Sequence, residues 1–175
     1  MTQHQKLKER SSKIITGGIR KMADVGNMIH VALTVADLER SIEFYEKNFN
    51  YHRTPEILFT AYENGFFAES DDSREVYKVE EGSTCRVVFL ESDTGSMSLE
   101  LFQFDPLLPQ EIAPWNRQGI THFSFETEHF TELYQRLLAN GVEFMMRPGT
   151  RVADGLRWCF LRDPDGNMIE LLGHD

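Results

Sequence analysis

The feature that most constrains the fold of this chain is an internal repeat, in which a histidine-bearing apolar segment precedes an amphipathic helical pattern. His30 lies in the first copy and His122 in the second, 92 residues later. The same shift superposes the apolar positions of the two helical patterns: Leu38, Ile42 and Tyr45 fall on Phe130, Tyr134 and Leu137. Such a repeat predicts two copies of one structural unit that bury their apolar faces together.

Hydrophobic periodicity predicts a β-α-β-β-β order of elements in each copy. The elements expected in the first copy are a strand, a helix and three strands, at 28–35, 37–47, 52–61, 84–91 and 97–104. Those expected in the second copy are a strand, a helix and three strands, at 119–127, 128–140, 142–146, 156–162 and 168–172. The expected fold class is therefore α+β, with paired βαβββ modules that form a curved mixed sheet around a cavity.

The composition of the chain divides it into four parts. We expect a basic arm at 1–26, a first module at 27–105, a linker at 106–118 and a second module at 119–175. The arm carries six Lys and Arg residues against two acidic ones, although the whole chain has a net charge of −10. Three interpretations of the arm stay open: a solvated, partly helical segment, a segment that lies across an acidic surface of a partner subunit, or, least favoured, a segment that contacts a membrane or nucleic acid.

Charge and cysteine content exclude several classes of protein. The net charge of −10 and the pI of about 5.1 argue against a nucleic-acid partner, because an acidic chain repels phosphates. The two cysteines, Cys85 and Cys159, form no CxxC motif, which excludes a zinc ribbon and a disulfide framework. No segment approaches the roughly 20 apolar residues of a membrane helix, and the N-terminus lacks the apolar stretch of a secretory signal. We therefore expect a cytoplasmic protein with no membrane partner.

Four polar residues occupy matching strand positions in the two modules: His30, Glu100, His122 and Glu170. Because side chains alternate along a strand, each of them lies on the face opposite a row of aliphatic or aromatic residues. A single His or Glu of this kind is more often structural or solvent-exposed, but the repetition of one His and one Glu in each module favours a metal site. Two imidazoles and two carboxylates suit one divalent ion of Zn, Ni, Co, Fe or Mn.

Four segments between Met28 and Leu172 carry a family resemblance: HVALTVADLERSIEFYEKNF, SMSLELFQF, GITHFSFET and DPDGNMIELL. They are similar to the vicinal oxygen chelate superfamily, which includes glyoxalase I, bleomycin resistance proteins and extradiol dioxygenases. The resemblance implies paired βαβββ modules around a metal cavity, with the metal ligands at the four positions given above. It also implies a small-molecule substrate with vicinal oxygens and a homodimer, whose sites lie within one chain or are shared between two.

The complete His-Glu-His-Glu set is most similar to that of glyoxalase I, which implies an enzyme rather than a sequestering protein. In the isomerase and lyase branch, metal-associated carboxylates move a proton next to a chelated carbonyl, so the resemblance assigns the catalytic roles to Glu100 and Glu170. Bacterial glutathione-dependent members carry an Arg and an Asn where this chain has Thr34 and Phe104. We therefore expect a glyoxalase-like isomerase or lyase whose substrate is not bound to glutathione.

Two alternatives stay open. An extradiol-type dioxygenase would use His30, His122 and Glu170 on Fe(II), but Phe160 stands where such enzymes have a Tyr, and Glu100 would be a surplus ligand. The other alternative is a bleomycin-resistance-like protein that binds a small molecule without turnover. Further candidates for the lining of the pocket are two tryptophans and three arginines: Trp115, Trp158, Arg53, Arg151 and Arg157.

Overall fold

The structure of the protein is a computed structural model, which describes residues 28–60, 78–79, 82–95, 97–108 and 118–175. Within these ranges the elements of the first module are β1 His30–Thr34, α1 Leu38–Phe49, β2 Tyr51–Arg53, β3 Ile57–Thr60, β4 Thr84–Ser92 and β5 Ser98–Asp105. Those of the second module are β6 Phe123–Thr127, α2 Phe130–Ala139, β7 Gly149–Thr150, β8 Arg157–Arg162 and β9 Met168–Gly173. The N-terminal arm and Trp115 lie outside the described residues.

Each module forms its own mixed sheet. The strand order is β1-β5-β4-β2 in the first sheet, where β3 also pairs with β4, and β6-β9-β8-β7 in the second. β1 runs parallel to β5 and β6 runs parallel to β9, while the other described pairings are antiparallel. The same order and direction of strands in both sheets confirm the predicted α+β class and the repeated module.

Two predicted strands differ from those in the structure. The strand expected at 52–61 is divided into β2 and β3, and the break contains Pro55, which has no N–H to donate to a ladder. The strand expected at 142–146 is reduced to one bridge between Phe144 and Leu161. Val142 donates its N–H to Leu137 at the end of α2, so it belongs to the turn that closes the helix. The strand that pairs with β8 is instead β7, which the sequence did not predict.

The two helices are capped at their N-termini by residues at very different distances along the chain. Asp37 accepts a hydrogen bond from the Arg40 N–H at 3.1 Å, as expected of an N-cap residue. At the start of α2 the side chain of Asp175 has this role, because it accepts a hydrogen bond of 2.6 Å from the Thr131 N–H. Neither helix in the described part of the chain is long and apolar enough to cross a membrane.

The two modules share one apolar core. Its fully buried members include residues on one face of β5 and of β9: Leu99, Leu101, Ile169 and Leu171. Phe49 of α1 stacks on Phe125 of β6 across the modules, with 4.4 Å between the ring centroids. Because strand side chains alternate, the faces that carry Glu100 and Glu170 point away from this core.

The turn between β8 and β9 attaches the second module to α1 of the first. The Tyr45 hydroxyl donates a hydrogen bond of 2.7 Å to the buried carboxylate of Asp163. The Ser41 hydroxyl donates to Asp165 at 2.7 Å, and the Ala36 N–H donates to the same carboxylate at 2.8 Å. Burial, followed by the charge of Asp163, raises the pKa of Tyr45 well above its ordinary value of 10.0. The Asp-Pro-Asp-Gly turn thus also fixes how the two modules sit against each other.

Candidate metal centre

The first candidate pair, His30 and Glu100, lies on the face of the first sheet that points away from the common core. β1 and β5 are neighbours, and their register places Ala32 opposite Glu100. The distance from His30 Nε2 to Glu100 Oε2 is 3.4 Å, and the side chains are 39% and 12% exposed. The edge of the His30 ring packs against Phe89, with 6.1 Å between the ring centroids. An imidazole nitrogen and a carboxylate oxygen therefore converge at one point of this face.

The second pair, His122 and Glu170, repeats this arrangement on the second sheet. The distance from His122 Nε2 to Glu170 Oε2 is 3.5 Å, and the side chains are 25% and 22% exposed. His122 immediately precedes β6 rather than lying within it, a small difference from the predicted strand. Its ring packs edge-on against Phe160 at 5.4 Å between centroids. The two modules thus present nearly the same pair of donor atoms.

The two pairs differ in the residues that support them. In the second module, the Ser124 hydroxyl donates a bond of 2.6 Å to Glu170, and the Thr121 hydroxyl is hydrogen-bonded to His122 Nδ1 at 2.9 Å. The shift of 92 residues places Ala32 at the position of Ser124 and Ile29 at that of Thr121. Neither of these side chains has a hydroxyl, so the first pair lacks both supports. The difference is visible when the two repeats are aligned, but strand alternation alone does not predict which polar neighbours make contact.

The carboxylate of Glu100 lies in an apolar environment. Burial raises the pKa of Glu100 above its usual value of 4.5, and the nearby His30 opposes this effect only in part. In the part of the chain that the structure describes, no hydrogen-bond donor other than His30 approaches Glu100 closely. Such a carboxylate gains stability from a cation placed beside it. Cys85, further along the same face, has its pKa raised to about 12 by burial and by the charge of Glu100, so its thiol is not a nucleophile at neutral pH.

The four predicted ligands are found as two pairs on two sheets. Among the described residues of one chain, no three His, Cys, Asp or Glu side chains come together in a way that could hold a metal ion. Each pair supplies two donors, whereas metal sites in proteins commonly use three or four protein ligands. The chemistry of the donors fits a divalent ion, since each pair directs an imidazole nitrogen toward a carboxylate oxygen.

The face around Glu100 is lined mainly by apolar side chains. Phe102 and Phe104 follow Glu100 on the same face of β5, and their rings stack at 6.0 Å between centroids. Val87 and Cys85 on β4 lie opposite them in the antiparallel register. These four residues form a small second apolar cluster. Thr34, which lies opposite Phe102, adds no charge to this wall.

Most of the other candidates for the lining of the pocket form ion pairs with other residues. The three arginines each contact a carboxylate: Arg53 contacts Glu39, Arg151 contacts Asp154, and Arg157 contacts Asp175. They are therefore less available as anchors for an anionic substrate than arginines without a carboxylate partner would be. Trp158 lies on the same face of β8 as Phe160, because Cys159 and Leu161 between them belong to the buried core. It is the one additional candidate in the described residues that lines the face of a predicted ligand.

The chain is thus a small α+β protein built of two βαβββ modules. Each sheet carries a His and a Glu on the face that points away from the core, and each pair is a candidate half-site for a metal. The family model of the glyoxalase/bleomycin resistance protein/dioxygenase superfamily matches residues 27–171. This chain therefore belongs to that superfamily, whose members generally bind a divalent metal ion.

Individual relatives are distant. The chain is 26% identical over 151 residues to the lactoylglutathione lyase GLX1 of Arabidopsis thaliana, covering 85% of this chain and 44% of that protein. It is 24% identical over 151 residues to a putative lactoylglutathione lyase of Brassica oleracea, covering 45% of it. The chain thus spans less than half the length of the curated relatives it matches.

Solved structures share the fold at similar distances. A glyoxalase family protein from Bacillus cereus matches with a TM-score of 0.66 and 21% identity, over 89% of this chain and 98% of that one. The trypanothione-dependent glyoxalase I of Leishmania major matches with a TM-score of 0.54 and 21% identity, over 85% of this chain and 87% of that one. These likenesses support the fold.

Proposed function

We propose that this protein is a metal-dependent isomerase or lyase of the glyoxalase type, which transfers a proton at a carbon next to a carbonyl group. The observation that carries the proposal is the repeated pair of donors, His30 with Glu100 at 3.4 Å and His122 with Glu170 at 3.5 Å. The same pair of donor atoms thus occurs at the same place in both modules. A shared role as ligands of one ion explains the repetition.

We propose that each site is completed by two copies of the chain. The faces that bear the pairs point away from the common core, and one pair alone offers too few ligands. In a two-fold symmetric dimer, the His30 and Glu100 half of one copy can face the His122 and Glu170 half of the other. Two-fold symmetry then generates a second, identical site without any further contact. In this arrangement, the role of the homodimer expected from the resemblance is to complete the two metal sites.

The residues of this chain then have separate tasks. All four would hold one divalent ion of Zn, Ni, Co, Fe or Mn, which when bound supplies positive charge to stabilise negative charge that develops on a substrate oxygen. Ser124 and Thr121 keep Glu170 and His122 in position through their hydrogen bonds. Among the described residues Glu100 has no such hydroxyl partner, so it is the carboxylate freer to turn toward the substrate and accept its proton. Glu170 is the second carboxylate able to take part in the transfer.

The substrate is a small molecule with two neighbouring oxygen atoms, and we propose that it carries no glutathione. Thr34 and Phe104 provide neither the charge nor the amide that the resemblance associates with glutathione. The wall around Glu100 is instead apolar, with Phe102 and Phe104 stacked beside it. An anionic tripeptide would find no free cation on this wall among the described residues. Both cysteines are buried and free, which supports the reducing cytoplasmic location that we propose for the protein.

The pairing of Glu100 with His30 also favours this function over the two alternatives. A dioxygenase that uses His30, His122 and Glu170 gives no role to the partly buried carboxylate of Glu100. A protein that only sequesters a small molecule needs none of the four donors. The matched pairs therefore favour the isomerase or lyase.

Complementation between two defective variants tests the proposal. One variant carries His30→Ala and Glu100→Ala, and the other carries His122→Ala and Glu170→Ala. Two different affinity tags allow the mixed dimer to be isolated after coexpression. Elemental analysis is expected to find two ions in the wild-type dimer, one in the mixed dimer and none in either variant alone. If the mixed dimer contains no ion while the wild type does, the site is not shared, and if the wild type binds no divalent ion, the function is wrong.

A further inference from the structure

The indole ring of Trp158 packs closely against a glycine at the edge of the second sheet. Gly149 of β7 is its partner in the antiparallel register of β7 and β8. A Cβ atom added to Gly149 would lie 2.9 Å from Cε2 of the indole and 3.1 Å from its Nε1. Any side chain at position 149 would therefore push the ring away from the strand. The absence of a side chain at Gly149 is what allows the indole to lie close to the sheet.

The indole belongs to a continuous aromatic surface that reaches the metal half-site. Trp158 packs edge-on against Phe160 at 5.9 Å between centroids, and Phe160 packs edge-on against His122 at 5.4 Å. Phe160 lies directly opposite Glu170, and Trp158 lies opposite Leu172 on the same face. This surface points away from the common core, and Trp158 is only half-buried. The sheet therefore holds a large ring at an open face, next to the predicted ligands.

The charges on this face do not favour an anionic group. Its charged side chains on β6, β8 and β9 are Glu126, Glu170 and Arg162. The guanidinium of Arg162 donates a hydrogen bond of 2.6 Å to the Gly166 carbonyl, at the end of β8 that is remote from Trp158. Glu126 lies in the same row across the sheet as Leu172 and Trp158. A neutral ring is better suited to this position than a carboxylate or phosphate.

We propose that Trp158 is the platform for a neutral, planar aromatic group of the substrate, bound next to the Glu170 half of the metal centre. This inference rests on the proposed function, because it places the aromatic group beside oxygens that chelate the ion. Diagonal neighbours in an antiparallel pair lie about 7–8 Å apart. A phenyl ring attached directly to the chelating group spans that distance from Glu170 to Trp158.

A pair of hydroxamates that differ only in this ring tests the platform. Benzohydroxamic acid and acetohydroxamic acid present the same two chelating oxygens, but only the first carries an aromatic ring. Titration calorimetry on the Zn²⁺-loaded protein is expected to show about tenfold tighter binding of benzohydroxamic acid. Trp158→Ala is expected to remove the preference and leave the affinity for acetohydroxamic acid unchanged. Trp158→Phe should keep part of the preference, and Trp158→Leu, which keeps apolar area without a π-face, should keep less.

Gly149→Ala provides an independent test, because it keeps tryptophan at position 158 but pushes its indole ring away from the sheet. It is expected to reduce the preference for benzohydroxamic acid as well. If both hydroxamates bind the wild type equally well, the aromatic platform is wrong and the proposed function stands. If neither binds the metal-loaded protein, both are wrong. The platform would also be wrong if Trp158→Ala made the protein monomeric while Trp158→Phe kept the full wild-type preference for benzohydroxamic acid. That result would place Trp158 in the subunit interface.

Discussion

The Tyr45 hydroxyl of the first module donates a 2.7 Å hydrogen bond to Asp163 of the second, and both residues are buried. Asp163 also accepts hydrogen bonds from the N–H groups of Asp165 and Asn167, so it organises its own turn while it holds the phenol. A contact between residues 118 positions apart thereby joins the helix that follows His30 to the turn that precedes Glu170. The relative position of the two candidate half-sites in one chain depends on it.

Tyr45→Phe is expected to lower the free energy of unfolding by about 1 kcal/mol at pH 7, because one buried hydrogen bond is lost while Asp163 keeps its others. The pKa of Tyr45 is raised on folding, so the stability it provides is complete below its ordinary pKa of 10.0 and declines as the pH rises toward the folded-state value. The wild type should thus lose its advantage over Tyr45→Phe in alkali. Urea unfolding at pH 7 and above pH 10 measures both effects. A constant difference between the two proteins at both pH values would contradict the assignment.

Ser124→Ala is expected to weaken metal binding by about 10- to 100-fold, because Glu170 loses the hydroxyl that orients it. Competition with a chromophoric chelator measures the affinity. The repeat supplies a matched control, since Ala32→Ser introduces a hydroxyl at the equivalent position opposite Glu100. Ala32→Ser should not weaken metal binding, and it should slow turnover if Glu100 must move freely. Equal metal affinity in Ser124→Ala and the wild type would show that the hydrogen bond does not support the site.

Glu100→Gln is expected to make the metal-free protein more stable at neutral pH. Burial raises the pKa of Glu100 above 4.5, so this group favours folding while it is protonated and that contribution is lost as the pH rises through the folded-state pKa. The amide carries no charge and avoids the cost of a buried carboxylate. Urea unfolding in the presence of a chelator should show the gain at pH 7 and no gain below about pH 4, where both states are protonated. The same substitution should reduce the stabilisation gained on adding Zn²⁺.

Gly173→Ala is expected to disrupt the pairing of β6 with β9, which holds His122 next to Glu170. A Cβ atom at this position would overlap with the Thr127 carbonyl oxygen on β6. The strands must separate to relieve the contact, at a cost of about 1–3 kcal/mol or more. Thermal unfolding should show a lower midpoint, and metal binding should fall with it. An unchanged midpoint would mean that the close approach of the two strands is not needed.

The internal repeat and the hydrophobic periodicity of helices and strands predicted the fold class, and the alternation of side chains along strands predicted the faces that carry the candidate residues. His30 and Glu100 converge because β1 and β5 are neighbours in a parallel pair, and the sequence repeat extends this to His122 and Glu170. The pattern could not predict that the four donors form two separated pairs in one chain. That separation depends on how the modules pack, and contacts such as Ser41 with Asp165 have no local signature.

The errors in strand prediction have similarly specific causes. The apolar alternation of 142–146 is genuine, but the Val142 N–H is used to close α2 and only Phe144 bridges to β8. The cap on α2 comes from Asp175, which is distant in sequence from Thr131. The role of Gly149 could not be predicted from the sequence either, because it depends on the nearby ring of Trp158. Local periodicity carries no information about such partners.

The outward orientation of the two ligand-bearing faces has a consequence for how the activity responds to dilution. If the ion binds only between two copies, its affinity is linked by mass action to the association of the subunits. Adding metal then strengthens the dimer, and diluting the protein releases the metal. Specific activity should fall with protein concentration below the dissociation constant of the dimer, so the abundance of the chain would itself regulate the enzyme.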